Sequence, residues 1–168
     1  MAPIGKTLLF LAAMTSSAMA EHVRVVFSAG DFSTISGPDG GSSQSGHYSG
    51  FAIVRDNGDA IYNNGNPDDH SPCYSTGGGR TFTIEGDCWA SPRTFHCEAD
   101  FAGHPKTCEV KDQNGNSLGT GEGQTDTTFI GISIGQDASC VVEFDTDDVQ
   151  GNSCPVDDGN GPLHVTSG

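Results

Sequence analysis

The densest group of titratable side chains lies close together around a single cysteine. His96, Glu98, Asp100 and His104 occur in the segment FHCEADFAGH. Imidazole and carboxylate groups at such spacing can exchange a proton or hold a metal ion. An alternating strand with one solvated face gives the same string, and no H-E-x-x-H motif accompanies it. We therefore interpret these residues as a polar strand face and keep an acid/base or metal site as the alternative.

A second segment carries oxygen ligands at the spacing of a calcium loop. Asp112, Asn114 and Asn116 match the first, third and fifth positions. The sixth position, however, is Ser117 instead of glycine, and the twelfth is Gly123 instead of a bidentate glutamate. We expect a hairpin turn here, and solvated turns in two similar clusters, Asp145–Asp148 and Asp157–Gly159. No metal and no cofactor is expected.

Other catalytic patterns are weak. Copper oxygenases that attack polysaccharides use an N-terminal histidine, but Glu21 precedes His22 at the predicted start of the mature chain. A pair of carboxylates for sugar hydrolysis cannot be located without the fold. We expect no enzymatic activity, and a small secreted hydrolase or metal-dependent enzyme stays a secondary alternative.

The cysteines indicate the compartment. An even number in a small exported chain is typical of disulfides, and no C-x-x-C pair indicates zinc or thioredoxin chemistry. Sequence alone does not fix the pairing. We predict a bond between Cys140 and Cys154, because the Asp-, Gly- and Asn-rich segment between them resembles a loop. The cysteines, all beyond Pro72, are Cys73, Cys88, Cys97, Cys108, Cys140 and Cys154.

The N-terminus has the plan of a secretory signal. Lys6 precedes an apolar run, Leu8–Met14, and Ala18–Ala20 has the A-x-A pattern of a cleavage site. We predict a signal peptide over 1–20 and one secreted, extracellular domain over 21–168. The apolar run is too short to span a bilayer. The tail after about residue 155 is expected to be loose, although 163–165 can add an edge strand.

The charge limits the partners. With 22 acidic against 7 basic residues, the formal net charge is −15. Such a surface repels phosphate backbones and anionic headgroups, so neither nucleic acid nor membrane insertion is expected. The domain is expected to be a monomer.

The elements that must position these residues are short strands. There are 24 glycines and no sustained helical periodicity, whereas short β-branched or aromatic runs recur between turn residues. The predicted fold is all-β: a single-domain, disulfide-stapled β-sandwich or barrel-like fold with long Gly/Ser/Asp-rich loops. The predicted strands are Val23–Ser28, Gly50–Arg55, Ala60–Tyr62, Thr81–Ile84, Thr94–Cys97, Cys108–Lys111, Thr127–Ile134 and Ser139–Phe144.

Turns and core follow from the same pattern. We predict hairpin turns at Asn57-Gly58 and Asn114-Gly115, a further turn at 135–137 and a long loop over 36–50. Trp89 is expected in the core beside Cys88. The expected core combines Phe27, Phe32, Phe51, Ile53 and Val54 with Phe82, Ile84, Trp89, Phe129, Ile130, Ile132, Ile134, Val141 and Phe144.

The signal, the acidic β-rich body and the six cysteines together resemble the small secreted cysteine-rich proteins of filamentous fungi. The resemblance covers the whole chain in plan, and its nearest type is the hypersensitive-response-inducing elicitor. It implies an effector that acts outside the cell on plant tissue and is recognised through its folded surface. The implied partner is a plant cell-surface or apoplastic component, or a cell-wall polysaccharide.

A local resemblance offers an alternative. Gly86-Asp87-Cys88, followed by Cys97, is similar to the T-G-D-C element of thaumatin-like proteins, although Glu85 replaces the threonine and the chain has fewer cysteines. This resemblance implies a β-sandwich with an acidic cleft that binds glucans. The alternative function is therefore a thaumatin-like or lectin-like carbohydrate-binding module.

Overall fold

Two antiparallel sheets, each of five strands, form the described part of the protein. The computed structural model describes residues 20–34, 45–73, 79–130, 133–146, 154–159 and 161–168. Across these residues a 3-10 turn, Pro67–Asp69, is the helical element. The strands are β1 His22–Thr34, β2 Ser45–Arg55, β3 Ala60–Asn64, β4 Arg80–Gly86, β5 Arg93–Ala99, β6 Pro105–Lys111, β7 Ser117–Glu122, β8 Gln124–Ile130, β9 Ser133–Asp145 and β10 Leu163–Ser167.

The two sheets form a sandwich. The strand order is β3-β2-β1-β9-β8 in sheet A and β10-β4-β5-β6-β7 in sheet B. Alternating residues of β1, among them Val23, Val25 and Phe27, are buried, as expected for a strand with one face on a core. The predicted all-β, disulfide-linked fold is confirmed.

One long strand departs from the sequence prediction. Thr127–Ile134 does not form a single strand, because β8 ends at Ile130 and β9 begins at Ser133. The turn expected at 135–137 is wrong too: Gly135 pairs with Phe32 of β1 within β9. Continuous pairing with β1 on one side and β8 on the other outweighs the local turn preference. The strand β7 was not predicted.

The expected loop over 36–50 is shorter than predicted. Residues 45–50 belong to β2 and pair with β1, as in Ser33 with Ser45 and Ser28 with Gly50. Small polar residues are tolerated there because the ladder bonds involve the backbone. The rest of that prediction, over 36–44, lies outside the described residues.

Both predicted Asn-Gly turns are confirmed. Gly58 has φ 89° and its N–H donates to the Arg55 carbonyl over 3.0 Å. Gly115 has φ 84°, and its N–H donates to the Asp112 carbonyl over 3.0 Å. This left-handed backbone is accessible to glycine at little cost, which explains why the dipeptide predicted the turns.

The predicted core is confirmed where side chains are described, with one error. Val141 is 39% exposed. Its neighbours Cys140 and Val142 point inward instead, because side chains alternate along β9. Trp89 is 4% exposed and meets Phe144 edge-on, with ring centroids 6.0 Å apart. Of the other predicted core residues, Phe27, Phe51, Ile53, Phe82, Ile84 and Phe144 are buried, Val54 is half-buried, and Phe32, Phe129, Ile130, Ile132 and Ile134 lie outside the described side chains.

Three disulfides join distant parts of the chain. The pairs are Cys73–Cys97, Cys88–Cys154 and Cys108–Cys140, so the predicted bond between Cys140 and Cys154 is wrong. The reason is sheet stacking: Cys140 faces inward from β9 of sheet A and meets Cys108 on β6 of sheet B. Three buried disulfides indicate an extracellular or secretory environment.

The edge strand β7 packs backbone to backbone on β9. A Cβ atom at Gly119 would lie 2.4 Å from the Glu143 carbonyl oxygen, and one at Gly121 would lie 2.0 Å from that of Val141. Only glycine fits this approach. The alternating glycines of β7 therefore close one side of the sandwich.

The other side is closed by the C-terminal segment. Leu163 pairs with Gly86 and Val165 with Ile84, and both apolar side chains are buried. The optional edge strand is confirmed, and the expectation of a loose tail is wrong for 163–167, because these two residues fasten it to the core. Residues 1–19, which contain most of the predicted signal, lie outside the described residues. Within the described part of the chain, no helix is long and apolar enough to cross a membrane.

Candidate functional site

The outer face of sheet B carries an ordered set of polar side chains. Along β5, Phe95 and Cys97 are buried, so His96 and Glu98 project outward between them. The strand register then brings residues of β6 and β7 alongside. His96 pairs with Glu109, which pairs with Thr120, whereas Glu98 pairs with Thr107, which pairs with Glu122.

These residues line an acidic groove of about 320 Å³. We call it the acidic groove throughout. Its lining residues are His96, Glu98, Thr107, Cys108, Glu109, Thr120, Gly121 and Glu122.

Hydrogen bonds fix the orientation of two groove residues. His96 Nε2 lies 3.9 Å from Glu98 Oε1, and His96 Nδ1 is 3.1 Å from Thr81 Oγ1. Lys111 Nζ lies 3.0 Å from Glu109 Oε2. Hydrogen bonds from Lys111 and then Ser117 lower the pKa of Glu109 below its ordinary value. Glu109 is therefore ionised at neutral pH.

The groove combines carboxylates with hydroxyl groups. Glu98 and Glu122 are exposed and Glu109 is partly buried. Thr107 lies between Glu98 and Glu122, and Thr120 lies beside Glu109. No lysine or arginine is among the lining residues, although Lys111 flanks Glu109. Carboxylates accept hydrogen bonds and attract cations, so the groove suits a basic or a hydroxyl-rich partner.

The four residues of the polar patch predicted from the sequence do not lie together. His96 and Glu98 lie in the acidic groove, whereas Asp100 and His104 lie at the tip of the β5–β6 hairpin. Asp100 Oδ1 accepts hydrogen bonds from the backbone N–H groups of Ala102 and His104, each over 2.9 Å. Burial acts to raise the pKa of Asp100, but these hydrogen bonds outweigh it, and the net pKa is lowered. Asp100 and His104 therefore stabilise the turn at the tip of the β5–β6 hairpin.

The described residues do not assemble a metal site. Among them, no group of three or more His, Cys, Asp or Glu side chains is placed to hold a metal ion. The calcium-like segment forms the predicted hairpin turn: Asp112 Oδ1 accepts from the N–H groups of Asn114 and Asn116, each over 2.8 Å. Of the other two clusters, Asp157 Oδ1 accepts from Gly159 N–H over 2.9 Å, and 147–148 lie outside the described residues.

His22 begins β1 and belongs to a separate ionic cluster. Its Nδ1 lies 2.9 Å from Asp145 Oδ1, and its Nε2 lies 4.0 Å from Glu143 Oε2. The hydrogen bond to Asp145 raises the pKa of His22 above the ordinary 6.5. A histidine with a raised pKa stabilises the fold below its unfolded pKa, and that contribution is lost as pH rises through the folded pKa.

We therefore predict an elevated titration midpoint for His22. NMR titration of the imidazole protons should give a midpoint above 6.5, and Asp145→Asn should lower it toward that value. Asp112→Asn, which removes a carboxylate from a remote turn, is the control and should leave the midpoint unchanged. A native midpoint at or below 6.5 would contradict the ionic pairing.

Sequence reasoning missed half of the groove. Glu109, Glu122, Thr107 and Thr120 were not singled out, because their relation to His96 depends on strand register. The alternation of charged and apolar residues in β6 was the available signal.

The comparisons with known proteins do not assign this chain to a family. No family model, no curated protein and no solved structure matches this chain. Its class is therefore defined by what it contains: a disulfide-linked β-sandwich with an acidic groove on one outer face.

Proposed function

We propose that this protein is a secreted, non-enzymatic effector or elicitor that acts outside the cell on plant tissue. It is recognised through its folded surface, with the acidic groove as the contact surface. The observation that carries the proposal is the convergence of Glu98, Glu109 and Glu122 on one face of a sheet held by buried disulfides. The partner is a plant cell-surface or apoplastic component.

Rigidity supports this role. Cys97 and Cys108 lie beneath the groove as paired residues of β5 and β6, and each forms a disulfide to another part of the chain. A surface fixed before binding loses little conformational entropy when a partner docks. The groove residues can therefore present a constant pattern in the extracellular medium.

Charge supports the kind of partner. The groove carboxylates belong to a chain with a formal net charge of −15. Such a field accelerates encounter with basic surfaces and opposes acidic ones. A basic patch on an apoplastic or cell-surface protein is the complement that we expect.

The test is infiltration of purified protein into leaves. We expect cell death or defence-gene induction at micromolar dose, retained after mild heating and lost after the disulfides are reduced and alkylated. Buffer and heat-denatured, reduced protein are the controls. Absence of any plant response at micromolar dose would overturn the proposal.

A second candidate function is glucan binding in the same groove. The thaumatin-like resemblance implies an acidic cleft, and the acidic groove with its threonine hydroxyls supplies groups that can accept from and donate to sugar hydroxyls. A pull-down on insoluble cell-wall glucans tests it. Retention that is lost in Glu122→Gln supports this candidate, whereas recovery of all the protein in the supernatant would exclude it.

A further inference from the structure

A second pocket lies at the side of the sandwich that the C-terminal segment closes, between β3 of sheet A and β10 of sheet B. It has a volume of about 430 Å³. We call it the edge pocket. Its walls include Tyr62, Asn63, Asn64, Asp157, Leu163 and His164. We propose that the edge pocket binds a neutral saccharide, independently of the acidic groove and of the function proposed for it.

The apolar wall comes from both sheets. Tyr62 is partly buried and meets the core residue Phe51 edge-on, with ring centroids 6.0 Å apart and planes at 69°. Leu163 on β10 is 3% exposed. Leu163 therefore backs the pocket from the core, and the fixed ring of Tyr62 is the apolar surface that matches the C–H face of a pyranose. Burial raises the pKa of Tyr62, so its hydroxyl stays protonated at neutral pH.

The polar wall is held in place by the segment after Cys154. Asp157 Oδ2 accepts from the Asn63 N–H and Oδ1 accepts from the Gly159 N–H, each over 2.9 Å. The Asp157 N–H in turn donates to the Ala60 carbonyl over 2.9 Å. The carboxylate is thereby fixed against β3, and each of its oxygens keeps a further lone pair for a ligand.

Amide and imidazole groups complete the pocket. Asn63, Asn64 and His164 are exposed. Asn64 Oδ1 accepts from the Asn66 N–H over 3.1 Å, and the Asn64 side chain is also hydrogen-bonded to the Tyr62 hydroxyl. The pocket therefore offers donors and acceptors side by side. A sugar hydroxyl, which donates and accepts at once, is the group that such a mixture satisfies.

Charge selects a neutral sugar over an acidic one. No lysine or arginine is among the residues that line the edge pocket, and Asp157 contributes a carboxylate. A uronate would meet this carboxylate and the field of a chain with a net charge of −15. Neutral cell-wall glucans fit the pocket, and galacturonans do not.

The test is NMR titration of the ¹⁵N-labelled protein with neutral β-glucan hexasaccharides. We expect shifts in the Asn63 and Asn64 side-chain amides and in the backbone of Gly159 and Gly161. The double variant Asn63→Ala/His164→Ala should bind about thirtyfold more weakly, because the two lost hydrogen bonds contribute about 1 kcal/mol each and about 1.4 kcal/mol is tenfold. Both side chains are exposed, so the variant is expected to fold.

Matched controls separate this site from the groove. Asn114→Ala removes an exposed amide at a remote turn, and Glu122→Gln alters the acidic groove; both should bind like the native protein. An oligogalacturonide should bind at least about tenfold more weakly than the neutral hexasaccharide.

The proposal is overturned if no neutral hexasaccharide shifts these signals at millimolar concentration, or if Glu122→Gln abolishes the shifts. It is likewise overturned if the oligogalacturonide binds equally well. None of these results depends on a plant response, which tests the proposed function separately.

Discussion

Replacing both Cys88 and Cys154 by alanine is expected to lower the free energy of unfolding by about 4 kcal/mol. This disulfide has the largest sequence separation, 66 residues, of the three. In the chain-entropy model, its loss therefore raises the conformational entropy of the unfolded chain more than the loss of either other disulfide does. In the folded state it joins the β4–β5 connection to the segment that carries Asp157 and walls the edge pocket. The Arg55 guanidinium also donates to the Cys154 carbonyl, so the effect should reach β2.

Urea unfolding followed by the fluorescence of Trp89, the single tryptophan and a buried one, measures this loss. The matched control is Cys73→Ala/Cys97→Ala, which removes an equally buried disulfide of sequence separation 24. Its cost should be smaller by about 1 kcal/mol, because the loop it closes is shorter. Equal stability of native protein and the Cys88→Ala/Cys154→Ala variant would contradict the pairing.

Gly121→Ala is expected to destabilise the protein by at least about 3 kcal/mol. Its Cβ would lie 2.0 Å from the Val141 carbonyl oxygen and 3.1 Å from Cys108 Sγ. The obstruction is backbone, which cannot move aside as a flexible side chain can. The strand β7 would separate from β9, and one side of the sandwich would open.

Gly58→Ala is the control for this prediction. Gly58 has φ +89° and nothing within 4 Å of its ideal Cβ, so alanine there meets conformational strain without a clash. We expect a cost of about 1 kcal/mol. Thermal unfolding of both variants should rank Gly121→Ala as clearly the less stable. If Gly121→Ala unfolds at the same temperature as the native protein, β7 and β9 are not in backbone contact.

Local chemistry predicted the features that are local. Asn57-Gly58 and Asn114-Gly115 gave the turns because a left-handed backbone is a property of the dipeptide. The alternation of Phe95, His96, Cys97 and Glu98 likewise indicated which side chains of β5 face solvent, since the side-chain period is fixed by the strand itself.

The features that sequence reasoning missed depend on contacts between distant strands. Glycine is typical of turns, so the glycines of β7 did not indicate a strand. In the structure, Gly121 instead allows the backbone of β7 to pack closely against β9. The bond between Cys108 and Cys140 follows from how the sheets stack, which spacing along the chain does not contain. Glu109 and Glu122 meet Glu98 in the acidic groove only through the register of β5, β6 and β7.

The acidic groove is the central claim, and a dose–response measurement in infiltrated leaves tests it most directly. The variant Glu98→Gln/Glu109→Gln/Glu122→Gln removes the groove charges and keeps the side-chain shapes. Its control, Asp69→Asn/Asp87→Asn/Asp126→Asn, removes the same number of carboxylate charges at exposed positions elsewhere. With both variants confirmed as folded by circular dichroism, we predict that the groove variant needs at least about tenfold more protein for the same plant response, while the control matches native protein. Equal potency of the groove variant and the native protein would contradict the claim.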